Sequence, residues 1–174
     1  MPWELIVVNN NCTDDTQDVI KHFQTTTPLP LVSCFEENKG LGNARNAGLL
    51  KARYELVAYT DDDCYPGPDY LECIRHNFEH NSLGFLGGRV MLHDPTDLPL
   101  TIKESLNEEF FEPGRLIKPG EIHGANFCFR KNVLEQVKGF DPLFGAGTHF
   151  PCEDIDTLAE CLRLGFKGKY APDI

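Results

Sequence analysis

The chain is short of positive charge, with 16 lysines and arginines against 27 aspartates and glutamates, for a formal net charge of −11. That balance argues against a nucleic-acid backbone or an anionic membrane surface as the main partner. No apolar run approaches the length needed to cross a bilayer. The opening Met1-Pro2-Trp3-Glu4 lacks the basic-then-apolar pattern of a secretory signal, so the expected location is cytoplasmic, at most at the inner face of a membrane. Cys-x-x-Cys pairs are absent too. The seven cysteines, odd in number and mostly in apolar surroundings, read as free thiols in a reducing compartment rather than as a zinc site or disulfide framework. Also missing is a G-K-[ST] phosphate loop. Gly40 and Gly42 precede a helix, but Arg45 stands where the dinucleotide fingerprint needs its third glycine.

What remains is an ordinary globular composition, 41% hydrophobic and 25% charged, in 174 residues that can bury one core. Short apolar runs alternate with helical patterns. Leu5-Ile6-Val7-Val8 ends at Asn9-Asn10-Asn11. A helix then opens after Thr13 with Asp14 and Asp15 in its first turn, and Val19, Ile20 and Phe23 follow at helical spacing until Pro28 stops it. Leu31 to Phe35 is a second strand and Leu41 to Arg53 a second helix. Leu56 to Tyr59 is a third strand, and about Asp69 to Phe78 a third helix. This order predicts parallel strands with right-handed crossovers, a Rossmann-like α/β/α sandwich with a mainly parallel sheet.

Phe85 to Leu92 reads as a further strand, broken at Gly87-Gly88 where something approaches the backbone closely. From His93 to Gly120 prolines and glycines punctuate the chain, with one short helix expected around Ile102 to Phe110 and the character of a loop that frames a substrate. Ala125 to Phe129 is a strand, Lys131 to Val137 a helix, and Glu153-Asp154 opens a last helix before a strand at Lys169-Tyr170-Ala171.

Chemistry concentrates at three of these junctions. Asp61, Asp62 and Asp63 close the third strand. Side chains alternate along a strand, so Asp61 and Asp63 project to one side, a hard-oxygen pair suited to Mg2+ or Mn2+ at the strand end where α/β sheets hold ligands. A solvated acidic turn explains the same residues. Glu153 and Asp154 sit at a helix N-terminus, where the dipole favours ionised carboxylates fit to act as bases, although plain capping leaves them no chemistry. Arg45, one turn into its helix, reaches either a nucleotide or a carboxylate partner. His76 and His80, at i and i+4 with no carboxylate motif beside them, read as surface rather than metal ligands.

Taken in order, these clusters resemble the family 2 glycosyltransferases, whose domain is the GT-A fold. The resemblance rests on Glu4 to Thr16, on Asn38-Lys39-Gly40-Leu41-Gly42-Asn43-Ala44-Arg45-Asn46-Ala47-Gly48, and on Tyr59-Thr60-Asp61-Asp62-Asp63, which looks like the family's D-x-D segment. Gly124 to Arg130, Gly139-Phe140-Asp141, Glu153-Asp154-Ile155-Asp156 and Tyr170-Ala171-Pro172-Asp173 complete it. It implies one catalytic domain over 1–174, with 1–90 binding the nucleotide sugar and 91–174 forming the acceptor side. It also implies an inverting transfer from a UDP-linked nucleotide-diphospho sugar to a glycan or lipid-linked acceptor in polysaccharide or glycoconjugate synthesis. Asp63 and Asp61 would hold Mg2+ or Mn2+, with Asp61 and Asp62 on the nucleotide side. Asn9, Asn11 and Arg45 would meet the nucleotide, Ala125 and Asn126 would line the sugar pocket, and Asp154 would be the base with Glu153 assisting.

Two departures qualify the resemblance. Asn9 stands where the family usually has Asp. The family's first strand, expected before Trp3, is absent, so the expectation is a chain truncated at both ends and completed by a missing segment or an oligomer. The alternative function is a non-catalytic glycosyltransferase-like fragment that binds nucleotide or a partner chain.

Overall fold

The computed structural model describes residues 2–80 and 82–174, apart from the side chain of His80, so that half of the His76–His80 pair lies outside the described residues. The chain divides into two compact units, residues 1–55 with 138–153, and 56–137 with 154–174.

In the first unit β1 (Leu5–Asn9) pairs in parallel with β2 (Leu31–Phe35), Leu5 opposite Leu31 and Asn9 opposite Phe35. Between them runs α1 (Thr16–Thr26), whose N-terminus follows an Asp14 carboxylate that accepts from the Thr16 N–H (3.1 Å) and hydroxyl (2.6 Å). These two bonds hold the Asp14 carboxyl below its usual range. Helix α2 (Leu41–Lys51) buries Gly42, Arg45, Ala47 and Leu49. Gly42 is there for space. A Cβ on it would meet the Asp141 carbonyl oxygen at 2.9 Å and that of Phe144 at 3.2 Å, so the helix lies against the backbone of the 138–153 segment. Gly42 therefore serves close packing, whereas Gly40 is marked by its positive φ of 129°.

The second unit is built on a five-stranded sheet in the order β3-β6-β4-β7-β5. Its members are β3 (Leu56–Thr60), β4 (Phe85–Gly87), β5 (Glu109–Phe111), β6 (Asn126–Arg130) and β7 (Gly168–Tyr170), with α3 (Tyr70–His80), α4 (Lys131–Gln136) and α5 (Glu153–Arg163) between them in sequence. The α/β class is as the sequence indicates, and the sheets are mixed. Parallel pairing holds for β1–β2 and β4–β7, while β6 runs antiparallel to both β3 and β4, and β5 antiparallel to β7. The reversal of β6 could not be read from the run Asn126 to Arg130, because burial on both faces gives the same apolar signature to either direction.

The faces of this sheet follow the two-residue period of strands. Leu86 and Cys128 pair directly and join Ile74, Phe78, Leu83 and Ala171 in one cluster. On the other face Phe127 and Phe129 pack edge to face at 5.0 Å, with Phe85 6.2 Å from Phe129 and Tyr59 5.5 Å from Phe127.

The helix expected around Ile102 to Phe110 is not formed. Lys103 makes an antiparallel bridge with Val90, and Glu109–Phe111 becomes the edge strand β5, with Phe111 buried and Phe110 half exposed. A free edge on β7 offers this segment backbone partners that a short, uncapped helix between prolines could not match.

Candidate functional site

The second unit contains a cavity of about 350 Å3 at the ends of β3, β4, β6 and β7, lined by Asp63, Cys64, Tyr65, Arg89, Asn126 and Asp173 among others. The wall lies where β3, β4 and β7 stop and β6 begins. β3 ends at Thr60 and the chain turns at once, with the Cys64 N–H donating to the Asp61 carbonyl (3.2 Å). The turn leaves Asp62 and Asp63 exposed and Asp61 half-buried, and of the three only Asp63 stands in the cavity wall.

Burial, then the charges of Asp63 and Asp61, push the neighbouring Cys64 thiol up. Among the described residues no three His, Cys, Asp or Glu side chains gather as a metal cage. The donor set nonetheless fits Mg2+ or Mn2+. Such ions are commonly held by one or two carboxylates and draw their remaining ligands from water and substrate phosphates.

Asn126 begins β6 and is held in three directions. Its Nδ2 donates to the Arg89 carbonyl (2.9 Å), its Oδ1 accepts from the Tyr70 hydroxyl (3.2 Å), and its backbone oxygen accepts from the Gly88 N–H (3.1 Å). Gly88 must be glycine here, because a Cβ would overlap both the Asn126 amide and Ile174. This is the close approach that Gly87-Gly88 signals in the sequence. Ala125 lies beside Asn126 in the same wall. Asp173 accepts from Asn77 Nδ2 at 3.2 and 3.1 Å, and burial drives the Tyr70 hydroxyl well above its ordinary value.

Asp154 is adjacent to this wall rather than in it. Its Oδ2 accepts from the Gly124 N–H (3.0 Å), one residue before Ala125, and its Oδ1 accepts from the N–H of Ile155 in the first turn of α5 (2.8 Å). Burial lowers the pKa of neighbouring His123, and the Asp154 charge pulls it part of the way back. Two backbone donors thus fix the direction of the Asp154 carboxylate at the start of α5.

The remaining predicted residues belong to the first unit. Asn9 is buried, its Nδ2 donating to Gln17 Oε1 (3.0 Å) and its Oδ1 accepting from the Cys12 N–H (2.9 Å). Asn11 adopts a left-handed backbone (φ 56°) and donates to the Glu37 carbonyl (3.0 Å). Arg45 and Glu153 are buried together as an ion pair through Nη1 and Oε1, the guanidinium 5.4 Å over the Phe140 ring. The carboxylate partner of Arg45 is therefore Glu153.

Thus Asp63, Ala125 and Asn126 share one cavity with Asp154 next to its wall, whereas Asp61 and Asp62 are beside Asp63 but not in that wall. Among the lining residues not anticipated as site residues are Tyr70, Arg89 and Asp173. The Gly87-Gly88 break was the available signal for Arg89, because it marks where the sheet opens.

In open α/β sheets ligands bind in the crevice outside the strand ends, and this cavity lies at strand ends. The chain belongs to glycosyl transferase family 2, whose model matches residues 1–138. A glucosyl-dolichyl phosphate glucuronosyltransferase from Haloferax volcanii is 27% identical over 150 residues, covering 80% of this chain and 46% of the relative. The chain spans about half the length of the curated relatives it matches.

Among solved structures, a mannosyltransferase from Pyrobaculum calidifontis in complex with GDP-Man and Mn2+ matches with a TM-score of 0.70 at 23% identity, over 98% of this chain and 46% of that one. Staphylococcus aureus TarS 1–349 in complex with UDP-GlcNAc matches with a TM-score of 0.72 at 17% identity, over 98% of this chain and 47% of that one. The fold is the GT-A fold of these structures. Among the described residues no helix is long and apolar enough to cross a membrane.

Proposed function

We propose that this chain carries the catalytic core of an inverting, metal-dependent glycosyltransferase that moves a sugar from a nucleotide-diphospho donor to an acceptor hydroxyl. The observation that carries the reading is the placement of Asp63, Ala125 and Asn126 around one cavity, with the Asp154 carboxylate fixed on the Gly124 N–H beside it. Support comes from the two structural neighbours, which were solved with GDP-Man and Mn2+ and with UDP-GlcNAc.

In this reading Asp63 and Asp61 would hold Mg2+ or Mn2+, which would supply positive charge to the leaving diphosphate. Ala125 and Asn126 bound the donor sugar. Asp154 takes the proton of the acceptor hydroxyl as its oxygen bonds to the anomeric carbon from the face opposite the diphosphate. The bond from that carbon to the phosphate oxygen breaks, and its electron pair leaves with the nucleotide diphosphate. One displacement with a separate base inverts the anomeric centre and needs no covalent intermediate.

By the family pattern Asn9, Asn11 and Asp62 serve the nucleotide. By the same pattern Arg45 also serves the nucleotide and Glu153 assists the acceptor, the two side chains being paired with each other. The acceptor is a glycan or a lipid-linked glycan, and the reaction belongs to polysaccharide or glycoconjugate synthesis at the cytoplasmic face.

The test is a calorimetric titration of UDP and GDP with and without Mn2+, on the wild type and on Asp63→Ala. The reading expects metal-dependent binding that Asp63→Ala abolishes. Equal binding by both proteins counts against the site. Release of nucleotide diphosphate from a nucleotide sugar by the purified chain separates this function from a non-catalytic binding fragment.

A further inference from the structure

Among the described residues Arg89 is the one permanently charged cation in the cavity wall. Its backbone is fixed on both sides, with its N–H donating to the Ile174 carbonyl (2.8 Å) and its own carbonyl accepting from Asn126 (2.9 Å). Its side chain is not similarly provided for. Among the described residues Nη2 donates only to the Met91 thioether (2.8 Å), a weak acceptor, and Nε is buried with no hydrogen-bond partner.

The other arginines differ. Arg45, Arg53, Arg75, Arg115 and Arg163 each hold a glutamate, and Arg130 donates to the carbonyls of Leu83 and Phe78. In a chain with 27 acidic residues, Arg89 has no ion pair among the described residues. The wall carries two carboxylates, Asp63 and Asp173, and the second is engaged by Asn77.

Nε and Nη2 form one edge of the guanidinium, the edge that takes an oxyanion in two parallel hydrogen bonds. Both donors on that edge are without a good acceptor. Met91, more than half exposed, can move off Nη2 at little cost. We propose that Arg89 is the oxyanion receptor of this cavity, its Nε–Nη2 edge gripping an oxyanion of the nucleotide-sugar donor. That oxyanion is either the diphosphate or a carboxylate carried on the sugar, and the inference rests on the glycosyltransferase reading above.

The experiment measures affinities of the wild type, Arg89→Gln and Arg89→Lys for UDP, UDP-glucose and UDP-glucuronate, and for the guanosine counterparts, with Mn2+ present. Loss of a charge-assisted bidentate contact weakens binding by roughly 10- to 100-fold. If the diphosphate is the ligand, Arg89→Gln weakens every probe by that factor. If the sugar carboxylate is the ligand, only the glucuronate donor weakens. Arg89→Lys keeps the charge without the fork, so it falls between the two proteins, and it decides the matter should Arg89→Gln not fold. Affinities of both variants within about twofold of wild type for every probe overturn the proposal while leaving the glycosyltransferase reading intact. Failure of the wild type to bind any probe overturns both.

Discussion

Removing the Glu153 carboxylate should make this protein markedly easier to unfold. Arg45 and Glu153 retain only 6% and 7% side-chain exposure, and the Phe140 ring covers the guanidinium, so water has no ready access to an orphaned cation. Breaking a buried ion pair from one side costs about 3–5 kcal/mol, most of it the penalty of leaving the other charge unpaired. For a chain of this length each kcal/mol lowers the melting midpoint by about 2–4 °C, so Glu153→Ala should melt about 6–20 °C below wild type. The assay is thermal unfolding followed by circular dichroism, repeated in urea to obtain the free energy.

Replacing both partners, as Arg45→Met with Glu153→Leu, should recover much of the loss, because an apolar pair of similar volume carries no unpaired charge. A Glu153→Ala protein within about 1 kcal/mol of wild type, or a double variant worse than the sum of its parts, would refute this reasoning.

The remaining predictions concern single residues. His123 is kept neutral in the folded state mainly by burial, its pKa below the ordinary 6.5, so its contribution to stability is present above about pH 6.5 and is lost as pH falls through the folded value. His123→Gln should flatten the decline of the urea midpoint on acidification, and an unchanged slope argues against it. At neutral pH a maleimide should label exposed Cys12 and Cys152 first, leaving buried Cys34, Cys128 and Cys161 untouched until unfolding, with the Cys161 thiol pushed up to about 12 by burial. Mn2+ with a nucleotide diphosphate should slow labelling of Cys64, in the cavity wall beside Asp63, and leave the rate at Cys12 unchanged. Gly42→Ala should destabilise by up to about 2 kcal/mol: overpacking against two carbonyl oxygens costs about 1–3 kcal/mol, and helix propensity returns about 1.

The helices were legible because their signals are local. Acidic residues at the start of α1, the prolines after it, and the apolar stripe Ile155, Leu158, Leu162 with Gly165 beyond α5 fix those elements without reference to the rest of the chain. Strand existence was legible for the same reason, from Leu5 to Asn9 through Asn126 to Arg130. Strand direction was not, since β6 buries both faces and its antiparallel register with β3 and β4 is a long-range property. The segment 102–110 was misread because Ile102, Leu106 and Phe110 fall at helical spacing, while the free edge that recruits Glu109–Phe111 belongs to β7, far along the chain.

In the site, Asp63, Asn126 and Asp154 could be named because each sits where a strand or helix begins or ends. Arg89 could not, since only the folded chain shows that it pairs with no carboxylate among the described residues. Arg45 and Glu153, separated by most of the sequence, gave no sign of being each other's partner.

The account stands most directly on the rate at which nucleotide diphosphate is released from a saturating nucleotide-sugar donor by Asp154→Asn. The amide can still accept from the Gly124 or Ile155 N–H, so the local backbone contacts are conserved as far as a neutral side chain allows. Loss of a positioned general base should lower the rate by about 10^2- to 10^4-fold with donor affinity preserved. A rate within tenfold of wild type at equal donor affinity would contradict the assignment of Asp154 as the proton acceptor, and with it the proposed mechanism.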